Sequence, residues 1–237
     1  MIHEVDASWQ ESLRRAWAAL PKAYRDFLDA DAGYFPNKSA MFNAFKTMRK
    51  RDVRYILFGQ DPYPRIRSAI GYAFIDGAVE QIFVPKGLDT RINRATSLRN
   101  FVKMVLVADG RLSCADTSQD AIAAMDKTDL IDSMDALRAN FEKSGVLLLN
   151  TALIFTAKEA SAYHIRMWQG FIGRLVEQMQ PESPKLILFG AHAKALKKLP
   201  ALSACETIEL EHPYNHTFIC NPDAHRLFGD MELFKDF

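Results

Sequence analysis

The sequence predicts an α/β fold: a single domain with a central, mainly parallel four-stranded sheet flanked by helices. Three observations carry this expectation. Four short apolar runs, rich in β-branched residues, each stop at a glycine or a polar residue. Amphipathic stretches at helical spacing alternate with them, the pattern of strands joined by crossover helices. Polar residues (Gln60, Asp61, Asn150 and His212) cluster at the carboxyl ends of the runs, where ligands gather in open α/β sheets.

The elements follow in order. Residues 6–28 carry Trp9, Leu13, Trp17 and Leu20 at helical spacing, with a break at Pro21. Residues 39–50 place Met41, Phe42, Phe45 and Met48 on one helical face. Residues 53–58 (VRYILF) form a buried strand stopped by Gly59. Residues 97–107 form a helix that opens on a serine cap. The aspartate-rich stretch 109–135 reads as a solvated, helix-containing excursion. Residues 146–149 are the second strand, ending at Asn150, and residues 168–180 are an amphipathic helix. Lys185–Phe189 is the third strand, stopped by Gly190 and followed by a helix over 191–199. Thr207–Leu210 is the fourth, just before His212. No repeat or long linker interrupts the chain. One domain over 1–237 is expected, with residues 1–50 as a helical N-terminal part packed on it.

The chain has 237 residues, 49% hydrophobic and 25% charged, an ordinary balance for a soluble globular protein. The formal net charge of +1 does not announce a nucleic-acid binder, so any DNA contact must come from local basic clusters. Cys114, Cys205 and Cys220 are odd in number, widely spaced and without metal-ligand spacing. They argue against disulfides and zinc and for a reducing cytoplasm. The N-terminal segment does not read as a secretory signal, and no apolar run is long enough to span a bilayer. A cytoplasmic monomer with no membrane partner is expected. No metal cluster or dinucleotide glycine fingerprint is present in the sequence, so no cofactor is expected.

Asp61, in FGQDPYP (58–64), is a strand-end carboxylate on a turn stiffened by proline. Alone it reads as an Asx turn. The joint pattern says more. GQDPY followed by Gly71-Tyr72-Ala73-Phe74 resembles the water-activating loop of family 1 uracil-DNA glycosylases. Residues 146–155 (VLLLNTALIF) resemble that family's base-reading strand, and His212-Pro213 resembles its DNA-intercalation loop. Residues 85–98 (PKGLDTRINRATSL) resemble its backbone-gripping loop and helix start, and 188–198 (LFGAHAKALKK) the segment before its last strand. The matches keep the family's order over residues 53–228.

The resemblance implies a monofunctional DNA glycosylase that flips uracil out of DNA and hydrolyses its N-glycosidic bond, leaving an abasic site for base excision repair. It implies that Asp61 orients or deprotonates the attacking water and stabilises the oxocarbenium-like sugar. It gives His212 the departing base anion. Asn150 reads the N3 and O4 edge, Phe74 stacks on the base, Tyr63 excludes a C5 methyl, and Gln60 contributes main-chain contacts. Arg65, Arg67, Arg94, Thr96, Ser97, Lys194, Tyr214 and His216 are the expected DNA contacts. Two departures stand out. Pro64 replaces the family's usual histidine, and Tyr214-Asn215-His216 replaces its Ser-Pro-Leu wedge. The altered loops leave open an alternative substrate, such as a hypermodified pyrimidine of viral DNA removed in defence. A non-catalytic DNA-binding protein would be expected to lack Asp61 or His212, and a free-nucleoside hydrolase would need no basic DNA track.

Overall fold

The computed structural model describes residues 1–180 and 182–237, with all their side chains but those of His192 and Ala193, two residues of the 188–198 segment. Helices α1 (Ala7–Ala18) and α2 (Lys22–Asp29) come first, then strand β1 (Tyr55–Gly59). A short pair follows, β2 (Phe83–Val84) and β3 (Gly87–Leu88), and then α3 (Thr90–Arg94), α4 (Thr96–Ala108), α5 (Gln119–Ala124) and α6 (Met134–Lys143). Next are β4 (Val146–Asn150), α7 (Ser161–Glu177), β5 (Lys185–Phe189), α8 (Gly190–Lys194), α9 (Pro200–Ser203), β6 (Thr207–Leu210) and α10 (Pro222–Gly229). The chain divides into two compact units, Met1–Gly77 with Gly145–Glu209 and Ala78–Ser144 with Leu210–Phe237.

The first unit is built on the sheet, whose order is β4-β1-β5-β6, with β1 parallel to both β4 and β5. The fold is thus the α/β class the alternating runs predict. Every residue of β4 is buried, as expected of a strand covered on both faces. Helix α1 starts on an Asp6 cap that accepts from Ser8 N–H, and its apolar face puts Trp9 and Leu13 in the core beside Phe42, Phe45, Phe58, Trp168 and Phe171.

Residues 39–50 are not the expected helix. They form turns and one-turn 3-10 segments at Asn43–Phe45 and Lys50–Asp52. The carbonyl of Phe45 accepts Asp6 N–H at 3.0 Å, and that of Met48 accepts Trp9 Nε1–H at 2.7 Å. The acceptors a helix would use are taken by the N-terminal segment, while the apolar residues reach the core as the pattern requires. Helix α7 starts well before residue 168. Its buried face carries Ser161 and His164 in that first stretch, and the polar residues hide the period. His164 is satisfied by Tyr24 Oη at 2.6 Å and Thr156 Oγ1 at 2.9 Å.

The second unit packs α4 against α6, α10 and the 3-10 segment His216–Cys220 through Phe101, whose ring centroid lies 5.8 Å from Phe141, 6.4 Å from Phe218 and 5.0 Å from Phe228. The stretch 109–135 carries α5 on a Ser118 cap, largely exposed but anchored by buried Ile122, Leu130 and Ile131. The cysteine reading is corrected here. Cys114 and Cys220 form a disulfide with Cα atoms 5.8 Å apart, and Cys205 is the free thiol. The partners are 106 residues apart in sequence, so spacing could not reveal what the packing of the 3-10 segment brings together. Among the described residues no helix is long and apolar enough to cross a membrane.

Candidate active site

In the first unit β1 and β4 end in register, Gly59 opposite Asn150. Beyond that pair Thr151 N–H donates to the Gly59 carbonyl at 2.9 Å. The Gln60 carbonyl accepts Ala152 N–H at 3.1 Å and Thr151 Oγ1–H at 2.6 Å. These bonds join the two strand ends into one rim. Gly59 is needed there, because a Cβ would overlap the Asn150 carboxamide and lie 3.1 Å from the Ala73 methyl. Asn150 is 6% exposed at the end of an otherwise apolar strand. A buried carboxamide is costly unless hydrogen-bonded, and it offers one acceptor and two donors to whatever enters.

The loop at 71–74 is held against the same rim. Gly71 has φ +85°, and a Cβ there would strike the Ala40 carbonyl, so only glycine fits. Ala73 N–H donates to the Leu148 carbonyl at 3.2 Å. Phe74, with φ +69°, sits in the left-handed region that non-glycine residues seldom occupy outside constrained sites. Tyr63 Oη–H donates to the Phe74 carbonyl at 3.2 Å. Burial, with the Asp76 carboxylate adding to it, pushes the Tyr63 phenol well above its ordinary range, so it stays a neutral donor at physiological pH. The half-buried Asp61 accepts a hydrogen bond from Ser161 Oγ–H, and exposed Gln60 donates Nε2–H to the same Ser161 oxygen at 3.2 Å.

Gln60, Asp61 and Asn150 therefore lie at the ends of β1 and β4, where the sequence pattern assigns them, with Tyr63 and Phe74 beside them. Arg65 and Arg67 are exposed on the turn that follows, closed by Arg65 N–H to the Tyr63 carbonyl at 2.8 Å. Lys194 pairs with Glu209 at 3.6 Å, and Lys197 pairs with the same carboxylate at 2.6 Å.

In the second unit Thr96 and Ser97 are the first two residues of α4, half-buried. The N-cap is Ala95 and no side chain caps it, so the expected serine cap is corrected. A helix start without a side-chain cap keeps its first amides for an anion. Arg94 is exposed just before it. His212, Tyr214 and His216 are exposed on the 212–216 segment, with Tyr214 at 67%. Tyr214 N–H donates to His212 Nδ1 at 3.0 Å. That nitrogen is thus an acceptor, and the ring's proton belongs on Nε2, the tautomer that can donate one bond outward.

Three residues went unread in the sequence. Asn100 donates Nδ2–H to the carbonyls of Pro213 at 2.8 Å, Tyr214 at 3.3 Å and Asn215 at 3.4 Å, fastening the His212 segment to α4. Glu211 accepts from Thr217 Oγ1 at 2.5 Å, Asn221 Nδ2 at 3.0 Å and Asn215 Nδ2 at 3.4 Å. Burial raises its carboxyl, but these donors together lower it more, leaving it below the usual range. Ser161 is the third. A buried asparagine on the apolar face of α4 was the one available sign for Asn100. Glu211 and Ser161 carried none, because their partners are set by the fold.

No family model matches the chain. It is 29% identical over 219 residues to the uracil-DNA glycosylase of Exiguobacterium sibiricum, covering 87% of this chain and 83% of that protein. It is 29% identical over 181 residues to that of Francisella philomiragia, covering 76% and 69%. The fold of the mimivirus uracil-DNA glycosylase is similar, with a TM-score of 0.56 at 18% identity over 87% of this chain and 68% of that one. The UNG crystal structure from Nitratifractor salsuginis matches 100% of this chain and 95% of its own at 54% identity and a TM-score of 0.97. With that identity over the whole length, and with the ordered motifs placed as described, the chain belongs to the uracil-DNA glycosylase family.

Proposed function

We propose that this protein is a monofunctional DNA glycosylase that hydrolyses the N-glycosidic bond of uracil in DNA and starts base excision repair. The observation that carries the reading is the joint delivery of a carboxylate, a buried carboxamide and an aromatic ring, Asp61, Asn150 and Phe74, to the paired ends of β1 and β4. Glycoside hydrolysis through an oxocarbenium-like sugar needs negative charge and an oriented water, which Asp61 supplies. Asn150 matches the N3–H and O4 pattern of uracil and mismatches cytosine, where each unsatisfied buried group costs about 1–3 kcal/mol. Tyr63, bonded to the backbone of Phe74, stands against the C5 edge and excludes thymine. His212 donates Nε2–H to the departing base anion, a bond that strengthens as charge develops. Arg65, Arg67, Arg94 and the start of α4 at Thr96 and Ser97 grip phosphates, while Tyr214 or His216 wedges into the stack. Residues 1–237 act as one glycosylase domain, as a monomer and inside the cell with its DNA.

The test is one panel of oligonucleotides bearing uracil, thymine, cytosine or a bulky C5-modified cytosine, with abasic sites cleaved by alkali. Release of uracil alone is expected. A protein that ignores uracil and releases the bulky base would sink the uracil reading.

A further inference from the structure

The carboxylate of Asp61 is held by residues from another part of the chain. Ser161 is the first residue of α7, a helix of 17 residues whose N-cap, Ala160, makes no side-chain cap. Its side chain is turned inward, 8% exposed, and its hydroxyl donates to Asp61 Oδ2. Gln60, the neighbour of Asp61 in sequence, donates Nε2–H into the same hydroxyl oxygen at 3.2 Å. A hydroxyl has one proton. With the Gln60 amide donating into its lone pair, that proton is committed to the carboxylate, and donors in series strengthen one another. The contact also places the carboxylate at the positive end of α7, which favours the anion.

We propose that Ser161, directed by Gln60, is a positioning residue for hydrolysis: it fixes the rotamer of Asp61, so that the carboxylate meets water and sugar in one orientation. No proton leaves Ser161 in the reaction. The inference rests on the assignment of Asp61 as the carboxylate of the reaction, and the experiment separates the two.

Single-turnover release from a uracil oligonucleotide is measured against pH for the full-length protein and for Ser161→Ala, Ser161→Thr, Gln60→Leu, Asp61→Asn and the double variant Asp61→Asn/Ser161→Ala. Binding to uracil DNA is measured alongside. Ser161→Ala should lower the rate roughly 10-fold with affinity unchanged, because a lost charge-assisted hydrogen bond of about 1.5 kcal/mol corresponds to that factor. The acidic limb of its pH–rate profile should move to higher pH, since a carboxylate that loses a donor protonates more readily. Ser161→Thr should restore most of the rate, and Gln60→Leu should show the same changes more weakly. In the Asp61→Asn background Ser161→Ala should cost nothing further. Wild-type rate and profile in Ser161→Ala, with Asp61→Asn inactive, overturns the positioning role and leaves the Asp61 assignment standing. Near-normal turnover by Asp61→Asn overturns both. A uniform loss across pH, not rescued by threonine, marks a purely structural serine and overturns the proposal. If Ser161→Ala does not fold, Gln60→Leu decides it: a wild-type rate and profile in that variant, with Asp61→Asn inactive, overturns the proposal.

Discussion

At the scale of single residues, the rim at Gly59, Asp61 and Asn150 makes specific demands. Asp61→Asn keeps the shape of the side chain and removes its charge. Base release should fall about 100-fold or more while DNA binding is kept, as single-turnover kinetics and an equilibrium binding assay will read. On the proposed reading, selectivity divides between two residues. Asn150→Asp reverses part of the hydrogen-bond pattern and should admit cytosine weakly, and Tyr63→Ala should admit thymine, each with a loss of uracil rate of about 10-fold. Release rates from matched oligonucleotides check both, and no gain on either base would refute the assigned contacts. Phe74 makes a separate prediction from its backbone. At φ +69° any side chain is strained, by about 1 kcal/mol or more, and glycine is not. Phe74→Gly should therefore unfold at a higher denaturant midpoint than Phe74→Ala, although both lose the ring. The reverse order would show that the conformation is not held in solution.

At the scale of elements, the segment after β6 depends on side chains that precede and follow His212. Asn100 ties it to α4, and Glu211 gathers Thr217, Asn221 and Asn215. The Glu211 carboxyl titrates below its unfolded value, about 4.3. A carboxylate lowered in the folded state stabilises it fully above the unfolded value, and the contribution is lost as pH falls through the lowered folded one. Protection of the amides of Asn215 and Phe218 against hydrogen exchange should therefore decline across that acidic window. Glu211→Gln should remove this dependence, and a dependence that survives the substitution would assign it to another group.

At the scale of the whole molecule, the Cys114–Cys220 disulfide closes a loop across a sequence separation of 106 residues. Chain-entropy arguments put a loop of about 100 residues near 4.7 kcal/mol at most, with measured values commonly smaller. The oxidised protein should thus melt several degrees above the reduced one, and Cys114→Ser should abolish the difference. Equal melting temperatures with and without reductant would show that the bridge does not form in solution. On the proposed assignment, in which a carboxylate, a carboxamide and an imidazole act on water and base, hydrolysis should also survive a chelator. Loss of activity in EDTA with recovery on added metal would overturn that.

The sequence by itself determined the four strands and what stands at their ends. An apolar run stopped by glycine or asparagine is a local pattern, and burial of a parallel strand reads as the same pattern. The pattern therefore puts Asp61 and Asn150 at one rim. Where polar residues lie on a buried face, as Ser161 and His164 do in α7, the period is lost and the helix start is misread. Where a distant segment takes the backbone acceptors, as Asp6 and Trp9 take those of Phe45 and Met48, apolar spacing no longer means helix. The tertiary structure alone decided the partners of Asp61 and Cys220. Ser161 is 100 residues from Asp61, Cys114 is 106 from Cys220, and which distant groups meet is set by how the elements pack, not by the residues beside them in the chain.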